Sequence, residues 1–188
     1  MIVRGCLVAL ALALGTGCGS EAEPRHIPLA QPAEPQTATL GWREAYPDEG
    51  QKQALRFVVD ELRVTAAGWE ADVAVMNNTP VAWRIGRGAA SRFGVQLFAD
   101  DNLEELEEAG REGRLPPERR ARSFSPEPPL VLQRRAEWRG TIAAPGKLPA
   151  GAYVRVVFGA FAATTEPPED LATPIVWITD HAHRLTSR

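Results

Sequence analysis

The sequence predicts an all-β fold, a single antiparallel sandwich of seven to eight strands with a short helix in one inter-strand loop. Three observations lead to this prediction. From about residue 54, short segments alternate apolar and polar residues, a period-two pattern typical of strands with one buried face. Gly, Pro and Asn separate these segments at short intervals, as in sandwiches built from hairpins and short loops. One segment, residues 101–112, has the composition of a helix instead.

The start of the chain has the composition of an export signal. Arg4 supplies a positive charge, residues 6–14 form a short apolar run, and small residues follow as far as Cys18. An apolar run of this length is typical of a secretory signal peptide, whereas a transmembrane helix needs about 20 apolar residues. We therefore expect residues 1–17 to be a signal peptide and the protein to be exported.

Cys18 is the expected lipidation site. The segment TGCGS at residues 16–20 resembles the lipobox of bacterial lipoproteins, although Gly15 stands where leucine is usual. The resemblance implies a lipid anchor that holds the protein on the outer side of the cytoplasmic membrane or at the outer membrane. The alternative is an ordinary signal peptidase that accepts the small residues Gly15 and Gly17. The only other cysteine, Cys6, lies in the same export segment.

Residues 18–53 are predicted to form a tether. Prolines recur in this segment among Glu, Gln, Ala and Thr, at positions 24, 28, 32, 35 and 47. Proline at this density favours extended chain and opposes a packed core. Trp42 and Tyr46 are exceptions, and we expect them to pack against the domain as its first irregular strand. The domain itself is expected to cover residues 54–188.

The first predicted strands follow the tether closely. Residues 55–66 are rich in apolar residues, but the parity of these residues changes at Asp60-Glu61. A β-bulge, or a strand that switches sheets, produces such a change. Residues 69–75 then alternate with period two, and a turn is expected at residues 77–80.

The remaining predicted strands are residues 81–85, 93–97, 138–142, 152–161 and 175–179. A glycine-containing break at residues 86–88 separates the first two of these strands. Residues 152–161 are the most apolar segment and are expected to be central in a sheet. The tryptophans of the strands are expected to pack in the core; exposed tryptophans would instead suggest a platform for carbohydrate or peptide.

Three segments resemble known sandwich domains: VAVMNNTPVAW (73–83), FGVQLF (93–98) and WRGTIAAPGKLPAGAYVRVVF (138–158). They resemble bacterial immunoglobulin-like sandwiches and, loosely, the small sandwich domains related to intracellular proteinase inhibitors. The resemblance implies an immunoglobulin-like arrangement of strands. Since the matching segments are structural, it implies no functional residue.

The predicted helix belongs to a strongly charged loop. Asp101 or Asn102 is expected to cap it, and a basic stretch, residues 111–122, follows the acidic helix. One interpretation is a solvated loop with local ion pairs, and the other is a charged docking surface. The expected contact residues of such a surface are Asp100, Asp101, Glu104, Arg119 and Arg120.

His181 and His183 are the candidate metal ligands. If the last strand continues through them, both imidazoles project from the same face and can share a metal ion. A zinc site needs three or four ligands, and the only other histidine, His26, lies in the tether. The alternative is a pair of polar residues at the frayed end of a strand.

Composition narrows the expected function. The chain has 21 basic and 24 acidic residues, which argues against the basic face of a nucleic-acid-binding protein. No serine lies in a nucleophile-elbow context, and no cofactor is expected. The sequence therefore predicts a non-catalytic, monomeric lipoprotein of the cell envelope. It would contact the membrane through its lipid and a protein or envelope component through its loops; a metal-binding protein or metal-dependent enzyme is the alternative.

Overall fold

The computed structural model describes residues 31–47, 50 and 52–187. In this part of the chain, twelve strands form two antiparallel sheets, and one α-helix lies in an inter-strand loop. The predicted all-β sandwich is thereby confirmed. The strand number exceeds seven to eight because five strands have only two or three residues. The predicted signal peptide, Cys18 and the tether as far as residue 30 lie outside the described residues.

The elements are, in chain order, β1 (Gln36–Tyr46), β2 (Leu55–Val64), β3 (Gly68–Asn77), β4 (Trp83–Ile85), β5 (Gly94–Phe98), α1 (Leu103–Arg111), β6 (Arg119–Arg120), β7 (Ser123–Ser125), β8 (Val131–Leu132), β9 (Glu137–Pro145), β10 (Tyr153–Ala163), β11 (Ile175–Ile178) and β12 (His183–Arg184). A short 3-10 turn, Gly88–Ala90, follows β4. Within the described residues, no helix is long and apolar enough to cross a membrane.

The first sheet has the strand order β1-β2-β3-β9-β7. Its inner face is built from the predicted alternation, because Trp69, Ala71, Val73 and Val75 of β3 are all buried. These side chains join one apolar core with residues of the second sheet, including Phe158 of β10. The period-two pattern of residues 69–75 therefore identifies the face that packs.

The parity change in β2 is a β-bulge. The register of β2 shifts at Asp60 against both of its neighbours, β1 and β3. Two residues of β1, one of them Gly41 with a φ of +63°, stand opposite Asp60 alone. The carboxylate of Asp60 binds Arg43 of β1 at 2.6 Å and also pairs with Arg139 of β9. The bulge keeps the apolar residues on both sides of it directed into the core.

β1 corrects the predicted boundary between tether and domain. The sequence predicts a tether as far as residue 53, whereas β1 pairs with β2 over nearly all of its length. Trp42 and Tyr46, expected in a first irregular strand, lie in it. Pro35 and Pro47 flank the strand without interrupting it. The strand is compatible with a polar composition because residues 36–43 alternate between exposed and half-buried positions, and only Glu44 and Ala45 are buried.

β10 is the centre of the second sheet. On one edge, its first half pairs with β5 and its last residues pair with β4. On the other edge, it pairs with β12 and β11. β6 and β8 extend the sheet beyond β5 and β4. The central position of residues 152–161 and the break between β4 and β5 are both confirmed.

A buried polar network holds the turn after β3. Asn77 is fully buried, and its amide nitrogen donates to the carbonyl oxygens of Val81, Leu132 and Gln133 at 2.8 to 3.1 Å. Its amide oxygen accepts from the backbone N–H and the hydroxyl of Thr79. One side chain thus joins β3 to the segments around β4 and β8.

The tryptophans divide into two groups. Trp69, Trp83 and Trp138 are buried in the core, as expected for tryptophans on strands. Trp42 and Trp177 are only half-buried and lie beside the C-terminal segment. Their surroundings form part of the candidate site.

Candidate functional site

β11 and β12 follow each other along the same edge of β10, and the connection between them bends at Asp180. Residues 179–182 of this connection are called the C-terminal turn. The metal-site hypothesis assumes one strand through His181 and His183, and this assumption is wrong because β11 ends at Ile178. His181 lies in the turn, whereas His183 pairs with Val154 in β12. Among the described residues, no group of three or more His, Cys, Asp or Glu side chains is placed to hold a metal ion.

Glu44 of β1 binds the C-terminal turn from the first sheet. Its carboxylate is only 3% exposed and accepts from the backbone N–H groups of Asp180 and His181, each at 3.1 Å. It also accepts from Nε1 of Trp177 at 2.7 Å and lies 2.8 Å from Nδ1 of His181. These partners compensate the cost of burying a charged group.

The contact with Glu44 orients the imidazole of His181. An ionised carboxylate can only accept, so Nδ1 carries the shared hydrogen and Nε2 is left for another partner. The ring stacks on Trp42 with a centroid distance of 5.8 Å, and its side chain is 57% exposed. The arrangement presents one oriented, accessible nitrogen at the protein surface.

Arg155 of β10 binds the same turn from the second sheet. It is fully buried, and its guanidinium donates to the carbonyl oxygens of Thr179 and Asp180. It also donates to the carbonyl oxygen of Asp101 at 2.9 Å. Burial lowers the pKa of Arg155, while the charges of Asp180 and Glu44 act in the opposite direction. Arg155 therefore links the C-terminal turn to the loop that carries α1.

Residues 99–118 connect β5 to β6 and are called the α1 loop. The sandwich binds this loop at several points. Besides the contact between Arg155 and Asp101, Nε2 of Gln96 donates to the carbonyl oxygen of Pro116 at 2.6 Å. Leu106 of α1 is buried. The carboxylate of Glu118, only 6% exposed, binds Arg92 at 2.9 Å. The α1 loop is thus packed on the outer side of the second sheet.

The acidic contact residues expected from the sequence meet at the start of α1. Asn102 caps the helix by accepting from the backbone N–H of Glu104 at 3.0 Å. Asp100 accepts from the backbone N–H of Asn102 at 3.0 Å, and Asp101 contributes its carbonyl oxygen to Arg155. These contacts build the start of the helix.

The basic contact residues expected from the sequence lie at the other end of the α1 loop. Arg119 and Arg120 form β6. Arg119 donates to the carbonyl oxygen of Lys147 at 3.0 Å, and Arg120 pairs with Glu118 at 3.3 Å. The structure therefore separates the five predicted contact residues into two groups.

The solvent side of α1 carries four carboxylates, named here the acidic face: Glu104, Glu105, Glu107 and Glu108. All four are exposed, and none forms an ion pair with a described residue. Local ion pairs exist in this loop only at its end, where Glu112 binds Arg114 and Glu118 binds Arg92. The predicted solvated loop with local ion pairs is therefore found only in the residues that follow α1. The carboxylates of α1 itself are not neutralised by the basic stretch.

Two groups of the C-terminal segment have shifted pKa values. The pKa of Asp180 is raised, first by burial and then by the negative charge of Glu44, with a smaller contribution from Glu107, while Arg155 and His181 act in the opposite direction. The pKa of His183 is lowered by burial. The interaction with Glu107 shows that Asp180 lies within electrostatic reach of the acidic face.

Sequence reasoning missed Glu44 and Arg155, the two residues that organise this region. Glu44 lies in the segment expected to be a tether, and Arg155 occupies an outward position of a strand. Comparison with protein-family models, with characterised proteins and with solved structures found no match to this chain.

Proposed function

We propose that this protein is a non-catalytic module of the cell envelope that binds a basic surface of a partner through the acidic face of α1. The observation that carries the proposal is the set of four exposed glutamates without ion pairs on a loop that is packed on the sandwich. Other carboxylates of the loop have partners inside the protein, since Glu112 and Glu118 form ion pairs and Asp100 accepts from the backbone N–H of Asn102. Such contacts do not explain the acidic face.

The anchoring of the loop makes the acidic face suitable for recognition. Arg155, Gln96 and Leu106 hold the α1 loop against the second sheet. The loop therefore loses little conformational entropy when a partner binds. Exposed like charges on a firm support attract an oppositely charged surface and increase the rate of encounter. Such an interaction weakens as salt screens the charges.

Charge removal tests this proposal. The full chain, with the four glutamates of the acidic face changed to glutamine, is cross-linked in envelope extract at low and at high ionic strength, and the captured proteins are identified by mass spectrometry. The matched control changes two exposed glutamates elsewhere, Glu166→Gln and Glu169→Gln. We expect the native chain and the control to capture the same partners, which the fourfold variant and high salt both lose. Identical capture by the fourfold variant would contradict the proposal.

The lipid anchor is a further part of the proposal, and the N-terminal sequence alone supports it. We propose that Cys18 becomes the first residue of the mature protein and carries the lipid. Mass spectrometry of the mature N-terminus should detect an acylated cysteine, and Cys18→Ser should release the protein from membranes or block processing. A mature N-terminus without a lipid would contradict this part.

Metal binding through His181 and His183 is the second candidate function. The contact between Glu44 and His181 favours it, since metal-binding histidines are commonly oriented by a carboxylate on their other nitrogen. Elemental analysis of the purified protein, with His181→Ala and His183→Ala as comparisons, separates it from the first proposal. A stoichiometric metal that both variants lose would support this candidate; native protein without metal would end it.

A further inference from the structure

A groove opens where the second sheet is interrupted between β4 and β5. Its volume is about 440 Å³, and it is lined on one side by the break and on the other by residues around β7. The break is fixed to β10, because the backbone N–H groups of Gly86 and Arg92 donate to the carbonyl oxygens of Ala160 and Gly159. The groove is therefore a stable feature of the sandwich.

The groove contains cationic groups that lack an acidic partner. Arg87 donates to the carbonyl oxygen of Pro128 at 2.7 Å, which holds its guanidinium across the groove. Neither Arg87 nor Arg122 forms an ion pair with a described residue. Ser91 also lines the groove and is only 9% exposed. Two guanidinium groups and a hydroxyl are suited to binding carboxylates.

The rest of the groove is mainly apolar. Phe124 lines it with a half-buried ring that packs edge-on against Phe93 at a centroid distance of 5.9 Å. Pro128 adds a further apolar surface. Glu127 is the one carboxylate among the lining residues, where the guanidinium groups of Arg87 and Arg122 outnumber it. The lining therefore combines anion recognition with an apolar contact.

We propose that this groove binds an acidic peptide segment of a partner protein. Carboxylates of the segment lie at Arg87 and Arg122, and an apolar side chain packs against Phe124. The choice of a peptide follows from the size of the groove and from its apolar wall, since a lone small anion would leave that wall uncovered. The charge of the lining selects an acidic segment over a basic one.

This site goes beyond the proposed role of the acidic face. It is built from other residues and selects a ligand of the opposite charge. Loss of the acidic face therefore leaves the groove intact, and failure of one proposal does not imply failure of the other.

Peptide binding to the full chain tests the inference. The probe is a fluorescein-labelled acidic pentapeptide, ELEFE, and its uncharged counterpart QLQFQ is the comparison; binding is measured by fluorescence polarisation. We expect ELEFE to bind more tightly than QLQFQ. Arg87→Gln and Arg122→Gln should each weaken ELEFE binding by about tenfold. Glu127→Gln should strengthen it, because a like charge is removed. Arg84→Gln, an exposed arginine of β4 outside the lining, should leave it unchanged.

Amide NMR spectra locate the bound peptide independently of the variants. We expect ELEFE to shift the backbone signals of Gly86, Gly88 and Ser91. Equal binding of ELEFE and QLQFQ, equal weakening by Arg84→Gln, or unshifted signals at the break would overturn the proposal. A peptide of residues 19–30 is also tested as a competitor of labelled ELEFE. If it displaces the probe at a lower concentration than unlabelled ELEFE does, the groove binds the chain's own segment, and the proposal is overturned.

Discussion

Glu44 and Arg155 bind the same turn of the chain from opposite sheets. Glu44, in β1 of the first sheet, accepts from the backbone N–H groups of Asp180 and His181. Arg155, in β10 of the second sheet, donates to the carbonyl oxygens of Thr179 and Asp180. Two buried side chains of opposite charge thus bind one short backbone segment: Glu44 binds its N–H donors, and Arg155 binds its carbonyl acceptors. The C-terminal turn thereby joins the two sheets.

The first prediction concerns Arg155. Arg155→Met should lower the free energy of unfolding by about 3 kcal/mol, because it removes the charged hydrogen bonds of a buried guanidinium to three carbonyl groups. Hydrogen exchange should also increase in both the α1 loop and the C-terminal turn. Denaturant unfolding and exchange mass spectrometry measure these effects. Arg84→Met, at an exposed position, should change stability by no more than about 0.5 kcal/mol; exchange confined to only one of the two segments would contradict the linking role.

The second prediction concerns Glu44. Glu44→Gln keeps the shape of the side chain but removes its charge and places an N–H₂ group among donors. We expect a loss of about 2 kcal/mol in the free energy of unfolding and faster exchange of the amides of Asp180 and His181. The matched control is Glu166→Gln, at an exposed position. Unaltered exchange at both amides would show that Glu44 does not hold the turn.

The third prediction compares two neighbouring asparagines. Asn77→Ala should destabilise the protein by about 3 kcal/mol, because it leaves the buried carbonyl groups of Val81 and Leu132, and also Thr79, without this partner. Asn78→Ala, at an exposed position one residue further on, should change stability by no more than about 0.5 kcal/mol. Thermal and denaturant unfolding of both variants provide the measurement. Similar losses in the two variants would contradict a specific role of the buried amide.

The fourth prediction is a dependence on pH. Burial lowers the pKa of His183 in the folded protein, while in the unfolded chain it stays near the ordinary value of about 6.5. As the pH falls through that value, the unfolded chain takes up a proton first, so the free energy of unfolding decreases. The decrease continues until the pH reaches the lower pKa of the folded state.

Unfolding midpoints at pH 7.5, 6.5 and 5.5 check this prediction. His183→Gln should reduce the loss of stability between pH 7.5 and 5.5. An NMR titration of the His183 ring should also give a pKa below that of a free histidine. A ring that titrates at or above the ordinary value would contradict the effect of burial.

The regular strands were predictable because the residues within each strand already show which face is buried. In β3, the alternation of apolar and polar residues specifies the buried face directly, and Trp69 and Val75 lie where this pattern places them. The bulge at Asp60 was predictable for the same reason, since a change of parity within one strand requires an extra residue. Turn residues then separate these strands at the expected positions.

The candidate site was less predictable because its contacts are distant in sequence. Arg155 lies at an outward position of β10, where a charged residue normally faces water. It is buried because the α1 loop covers this part of the sheet, and its partners lie 24 to 54 residues away. Glu44 has partners 136 and 137 residues away. No local pattern indicates either burial.

β1 shows a further limit of sequence reasoning. Its first eight residues alternate between exposed and half-buried positions, and an edge strand of this kind needs few strongly apolar side chains. The flanking prolines, Pro35 and Pro47, therefore dominate the composition and favour a tether. β1 forms because β2 offers an edge with which it can pair. The composition of residues 36–46 alone does not reveal this partner.

The irregularity at Gly41 also affects the behaviour of many copies of the protein together. β1 is an edge strand of 11 residues, and a long, regular edge invites strand pairing between molecules and aggregation. The bulge interrupts the row of backbone groups that a second chain would have to match. The bulge that keeps the apolar residues of β2 directed into the core therefore also protects the free edge of the sheet from uncontrolled association.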